Sequence, residues 1–153
     1  MCAVGVFEHI GHKNYEAFMD IVNRSLKFGG RFLLHTLFTP CSGPAQNPWV
    51  EKHIFQNGEL SPLKSIKPSA QSCFKMVAGK QGFHELSAYY EPTLISWSNN
   101  FNRFYENGDL DISEKMHRNF KYYFLSYAGA FQAKHLKVGQ FLYQKQGGQC
   151  KNN

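Results

Sequence analysis

The 153-residue sequence contains no CxxC pair; its four cysteines, Cys2, Cys41, Cys73 and Cys150, are scattered, and no histidine stands at zinc-finger spacing from them. This pattern excludes a structural zinc module and a disulfide scaffold, and it fits a reducing, cytoplasmic setting. No apolar run approaches the roughly 18 residues of a membrane span. The opening MCAVGVF has neither the basic flank nor the length of a leader peptide, so the expectation is a soluble or membrane-peripheral protein. Also missing are an internal repeat and any GxGxG-like run, despite 13 glycines. Acidic residues are in the minority, 11 against 17 lysines and arginines, for a net charge of +6. Such a balance permits an acidic partner or an anionic lipid surface, and equally a solvated basic face. Nucleic acid is not expected, because the basic residues are dispersed and no RNP or GXXG pattern accompanies the aromatics.

What is present is enough for one domain with a real core: 42% hydrophobic and 16% aromatic residues. Residues 2–7 form a short apolar run that breaks into Glu8, His9, Gly11 and His12, the pattern of a buried strand delivering polar groups at its C-terminal end. Across residues 13–27, Tyr15, Phe18, Met19, Val22 and Leu26 recur at helical spacing, with Gly29 and Gly30 as the stop. RFLLHTLF, residues 31–38, is again of strand length and carries His35 near its end. A right-handed crossover lays these two strands parallel and brings Glu8 and His35 to one sheet edge.

Beyond the turn-rich residues 39–48, the stretch at 48–62 predicts a short helix on a long excursion, the kind that covers a site. Residues 77–82 read as a loop tip. A helix is predicted from Pro92, with Leu94, Trp97, Phe101 and Phe104 on one face and Asn107-Gly108 as its end. Asp111 with Glu114 reads as a capping pair for the next helix, whose face runs through Met116, Phe120, Tyr123, Phe124 and Tyr127. Spacing alone leaves both aromatic faces open between core and ligand pocket. Residues 138–144 close the chain as a strand, and residues 148–153 are a polar tail with the composition of a mobile terminus.

Taken together and in order, GVFEHIGHKNY, LKFGGRFLLHT, PWVEKHIFQNG, YYEPTLISW and FKYYFLSYAGAFQAK resemble the cyclopropane-fatty-acyl-phospholipid synthases, from about Ala3 to Tyr143. The resemblance is to the C-terminal part of that family. It implies an α/β fold: residues 1–147 as the C-terminal part of a doubly wound, Rossmann-like S-adenosylmethionine methyltransferase domain, lacking the first strands and the glycine-rich cofactor loop. The implied reaction adds the methyl group of S-adenosylmethionine across a cis double bond of a phospholipid acyl chain, with a bound bicarbonate removing a proton to close the ring.

Carried over motif by motif, the resemblance implies that Glu8 in FEHIG accepts the bicarbonate hydroxyl, and that His35 in LLHT and Tyr90 in YYEPTL donate to it. Leu37 offers its backbone N–H, and the backbone at Gly5 approaches the cofactor and the reacting carbons. No metal is implied. Without the resemblance, Glu8 reads as a carboxylate near the start of the helix at 13–27, His35 as a buried histidine, and Tyr89 and Tyr90 as interchangeable. Several positions depart from the family pattern. Tyr127 replaces a cysteine, Gln132 and Lys134 replace arginines, Gly139 replaces a tryptophan, Pro68 interrupts a helix, and a few residues are added between Met76 and Gly82.

The partners implied are phospholipid acyl chains at a membrane surface, with a location peripheral to the inner face of the membrane. The candidate contact is the excursion carrying Trp49, Ile54, Phe55 and Leu63 among Lys52, Lys64 and Lys67. A separate N-terminal half is a further implied partner. A sheet without its central strands leaves an edge open to pairing, including with a second copy of the chain.

Overall fold

A computed structural model describes residues 1–40, 47–66 and 74–146. Cys41, Lys67, Pro68, Cys73, Cys150 and the predicted tail lie outside the described residues.

The first strand, β1, is Cys2–Val4, shorter than the apolar run suggests. Gly5 ends it by adopting a φ of 62°, a conformation open to glycine at little cost, and Phe7–His9 then form a single 3-10 turn. A second such turn, His12–Asn14, leads into helix α1, Tyr15–Ser25. Strand β2, Arg31–Thr39, pairs in parallel with β1, Val4 opposite His35. The predicted strand, helix, parallel strand unit is therefore present.

Alternation along β2 divides the core. Phe32, Leu34 and Phe38 pack with Tyr15, Met19 and Val22 of α1 and with Phe7, each fully buried side chain being worth about 1.5–3 kcal/mol. Leu33, His35 and Leu37 point to the opposite face. There, a second cluster is built from Leu94, Tyr127, Ala128, Phe131 and Val138. It belongs to helix α3, Ser87–Glu106, and helix α4, Glu114–Gln132, with strand β6, Lys137–Lys145.

Strand β6 runs antiparallel to β2, with His35 opposite Gln140. Its other edge carries β4, Phe74–Met76, and β5, Phe83–Glu85, both antiparallel to it. The excursion after β2 holds helix α2, Pro48–His53, capped by the Asn47 side chain, and returns as β3, Ser61–Pro62, beside β2.

Helix α3 begins at Ser87, five residues before Pro92, which lies inside it. Pro92 removes the N–H that would bond the Ala88 carbonyl, an interior cost the sequence pattern placed at the helix start instead. No loop separates β5 from α3. Leu86 donates to the Val138 carbonyl at 2.9 Å, and Ser87 Oγ accepts the Val138 N–H at 3.1 Å, so the helix grows directly from the ladder. The cap of α4 is Ser113, which accepts the Met116 N–H at 3.2 Å, and not Asp111. Strands β4 and β5, three residues each, are too short for an alternation to show.

Residues 77–82 are a loop tip of a particular kind. Val77 donates to the Leu142 carbonyl at 2.9 Å and Leu142 donates to the Gly82 carbonyl at 2.8 Å, so one residue of β6 pinches both ends. A Cβ at Gly82 would lie 1.8 Å from the Val77 oxygen, which restricts that position to glycine.

Candidate active site

Glu8 sits on the 3-10 turn that follows β1, and its side chain is buried, 6% exposed. Oε1 accepts the backbone N–H of Leu37 at 2.7 Å. Oε2 has no hydrogen-bond partner among the described residues. A buried carboxylate oxygen without a donor is costly, and it marks a place where a ligand O–H fits.

The turn is held from the excursion side. Glu59 N–H donates to the Glu8 carbonyl at 2.7 Å, while the Glu59 carboxylate takes the His12 N–H at 3.0 Å and the His12 ring Nδ1 at 2.8 Å. Burial pushes the Glu59 pKa up, but the side-chain and backbone hydrogen bonds from His12 outweigh it, and the net displacement is downward. Two residues after Glu59, the Ser61 hydroxyl is hydrogen-bonded to that of the buried Tyr15. His12, which the sequence leaves as structural or surface, thus helps to fix the turn that carries Glu8.

Glu8 borders a cavity of about 260 Å³. Gly5 and Leu37 contribute its strand side, and Phe55, Gly58 and Leu60 its excursion side. Tyr90 and Trp97 of α3 with Tyr123 and Tyr127 of α4 complete it. Four of the five sequence candidates, Gly5, Glu8, Leu37 and Tyr90, therefore meet at one space. The fifth, His35, lies on the same sheet face but is not part of the cavity lining; its Nδ1 faces Gln140 Nε2 at 3.4 Å.

Burial, and secondarily the Glu8 charge, raises the Tyr90 pKa above its ordinary value of 10.0. Burial pushes Tyr127 up to about 12, and raises Tyr123 as well, with the Tyr127 and Tyr90 charges adding to it. All three phenols stay neutral, so they serve as donors and not as bases at physiological pH. Gly5 offers open space, with no atom within 4 Å of where a Cβ would stand. Among the described residues no group of three histidine, cysteine or carboxylate side chains is placed to hold a metal ion, and no helix is long and apolar enough to cross a membrane.

Periodicity did not separate cavity from core. Trp97, Tyr123 and Tyr127 border the cavity while Leu94 and Phe131, on the same helices, are buried in the core. His9 also borders the cavity, its ring 5.7 Å from Phe55. The only hint in sequence was its place beside Glu8. Of the excursion's apolar residues, Trp49 and Ile54 pack on the second core cluster and Leu63 on the first, leaving Phe55 exposed. Gly139 lies under two rings: a Cβ there would meet Phe83 Cε2 at 2.6 Å and Phe38 Cε1 at 3.2 Å.

Residues 1–141 match the family model described as mycolic acid cyclopropane synthetase. The chain is 35% identical over 143 residues to the cyclopropane-fatty-acyl-phospholipid synthase of Escherichia coli strain K12, an alignment covering 94% of this chain and 36% of that protein. Among solved structures, the cyclopropane synthase MmaA2 from Mycobacterium tuberculosis superposes with a TM-score of 0.84 at 20% identity, over 94% of this chain and 54% of that one. The mycolic acid cyclopropane synthase CmaA1 complexed with SAH and CTAB gives a TM-score of 0.84 at 24% identity, with the same coverage. The chain thus spans about a third to a half of the length of these relatives.

Proposed function

We propose, from the premise that this chain belongs to the mycolic acid cyclopropane synthetase family, that its cavity is the base-binding and acyl-chain side of a cyclopropane fatty acid synthase. The substrate class is the cis-unsaturated acyl chain of a phospholipid. The observation that carries this reading is Glu8 Oε2, buried, unpartnered among the described residues, and bordering the same space as the neutral Tyr90 phenol.

Bound S-adenosylmethionine supplies an electrophilic methyl group, and bound bicarbonate supplies a base. The residues of the chain fit the second group better than the first. Glu8 Oε2 accepts the anion's O–H, and Tyr90 donates to another of its oxygens, so an anion is held beside a carboxylate without a metal. The Leu37 N–H, expected to serve the anion directly, is committed to Glu8 Oε1 and so orients the carboxylate instead. Of the two side-chain donors that the resemblance assigns to the anion, Tyr90 borders the cavity and His35 lies on the same sheet face outside its lining. The tyrosine and Trp97 rings exclude water and present π faces to positive charge developing on the substrate.

For S-adenosylmethionine the chain offers the open backbone at Gly5 alone; no glycine-rich loop occurs in the sequence. The cofactor site is completed by a further segment, in the same polypeptide or as a separate N-terminal half, and the chain by itself is inactive. The assembled enzyme works at the inner face of a membrane from the cytoplasm. A second reading is a lipid-binding module that keeps the acyl cavity without turnover, which the aromatic lining of Trp97, Tyr123 and Tyr127 also fits.

Co-expression with the portion of the E. coli relative that the chain does not match, followed by gas chromatography of the lipids, separates the two. Cyclopropane acyl chains that disappear with Glu8→Gln support the synthase. Acyl-lipid binding without product in a folded assembly overturns it in favour of the lipid-binding module.

A further inference from the structure

We propose that Gln140 is a positioning residue for His35, fixing the imidazole as the tautomer that carries its proton on Nε2. The inference rests on the reading above only for the use made of that proton.

His35, Gln140 and His84 form a row across three strands. Gln140 of β6 is the register partner of His35 on β2 and of His84 on β5. Directly paired residues project to the same face of the sheet, so all three lie on the side of α3 and α4. His84 is exposed, whereas His35 and Gln140 are half-buried. The contact is between Gln140 Nε2 and His35 Nδ1, at 3.4 Å.

An amide nitrogen is a donor only, so the ring nitrogen facing it supplies the lone pair. In the neutral imidazole the proton then sits on Nε2, the ring's one donor. Gln140 therefore selects, within the neutral imidazole, the tautomer that donates from Nε2, suited to an oxygen of a small anion. The same logic governs a histidine whose orienting partner is changed from acceptor to donor, where the wrong tautomer removes catalysis with geometry intact.

The test is spectroscopic and needs no turnover. The chain is labelled with 15N-histidine and studied by magic-angle-spinning NMR, which reads each ring whatever the association state. His35 is assigned by its absence in His35→Gln, and spectra are taken about two pH units above the ordinary histidine range. The expected result is a lone-pair Nδ1 and a protonated Nε2 in the wild type. In Gln140→Glu the carboxylate accepts from the ring, and the proton moves to Nδ1. Gln140→Leu, apolar and close in size, leaves a mixture, and serves where the Glu variant fails to fold. A protonated Nδ1 in the wild type, or a tautomer unmoved by both variants, overturns the proposal.

A second arm keeps the functional reading separate. In the complemented enzyme Gln140→Glu lowers kcat by on the order of tenfold or more with KM little changed. A tautomer that moves while kcat does not supports the positioning of His35 and overturns its role as a donor to the anion.

Discussion

Leu37 donates its backbone N–H to Glu8 Oε1 at 2.7 Å, joining the second strand to the turn that follows the first. This bond commits one carboxylate oxygen to the backbone and leaves Oε2 buried without a hydrogen-bond partner among the described residues. In Glu8→Gln the amide oxygen keeps the bond to Leu37, and the amide nitrogen replaces the free acceptor with a donor. The variant loses about 1 kcal/mol of stability or less. The complemented enzyme loses roughly 100-fold or more in kcat, with a smaller change in KM. Equal losses in binding and turnover would identify Glu8 as a structural carboxylate.

Tyr90→Phe removes one neutral donor from the cavity and leaves the ring. Anion affinity falls by the worth of one hydrogen bond to a charged group, about 1.5–3 kcal/mol. Turnover of the complemented enzyme therefore drops at ambient bicarbonate and recovers as bicarbonate is raised. Glu8→Gln does not recover in the same titration.

The His12–Glu59 pair gives a pH signature. Glu59 has a folded pKa below its ordinary 4.5, so its contribution is full above that value and is lost as pH falls through the folded pKa. Its side chain is 41% exposed, which limits the pair to under about 1 kcal/mol. Denaturant unfolding of wild type and Glu59→Gln should differ by that amount at neutral pH. The curves should merge as pH falls below the ordinary 4.5 and through the folded pKa; a gap that persists once the carboxyl is protonated would contradict the assignment.

Gly139→Ala places a methyl group against the Phe83 and Phe38 rings. Overpacking of this kind costs about 1–3 kcal/mol. In a double-mutant cycle, Phe83→Ala should cancel a large part of that cost, giving a coupling of roughly 1 kcal/mol or more. Additive effects would show that the rings move aside freely.

Of the excursion residues expected at a membrane surface, Lys52, Lys64 and Phe55 are exposed, whereas Trp49, Ile54 and Leu63 pack inward. Each lysine contributes about 1 kcal/mol at an anionic surface. Reversal of Lys52 and Lys64 to glutamate should weaken vesicle binding of the complemented protein, and salt should mask the difference. Binding indifferent to both charge reversal and anionic lipid content would exclude this face.

The strand, helix, strand beginning was legible because α1 and β2 are long enough to show their periods, and because glycines follow the first apolar run and the helix. The motifs around Glu8, Leu37 and Tyr90 located a shared space, although not the partner of each atom. Leu37's N–H went to the carboxylate because the turn after Gly5 folds Glu8 back onto β2, and that turn depends on one backbone angle. His35's neighbour was hidden for a different reason: antiparallel register between strands about a hundred residues apart leaves no periodic trace. The early start of α3 was masked by Pro92, which looked like a first-turn residue and lies past it.

The pinch at Leu142 makes length variation in this protein inexpensive. Between Met76 and Phe83 the edge strand advances seven positions while β6 advances two, from Tyr143 to Phe141, and pairing resumes on the far side. The surplus is spooled outward at Lys80 and its neighbours, on the opposite side of β6 from β2. Residues added there change neither the rungs of the ladder nor the distance from Glu8 to Tyr90. The loop tip at residues 77–82 is accordingly a natural socket for an epitope or a fluorophore-bearing peptide, through which assembly with other chains can be followed at a distance from the cavity.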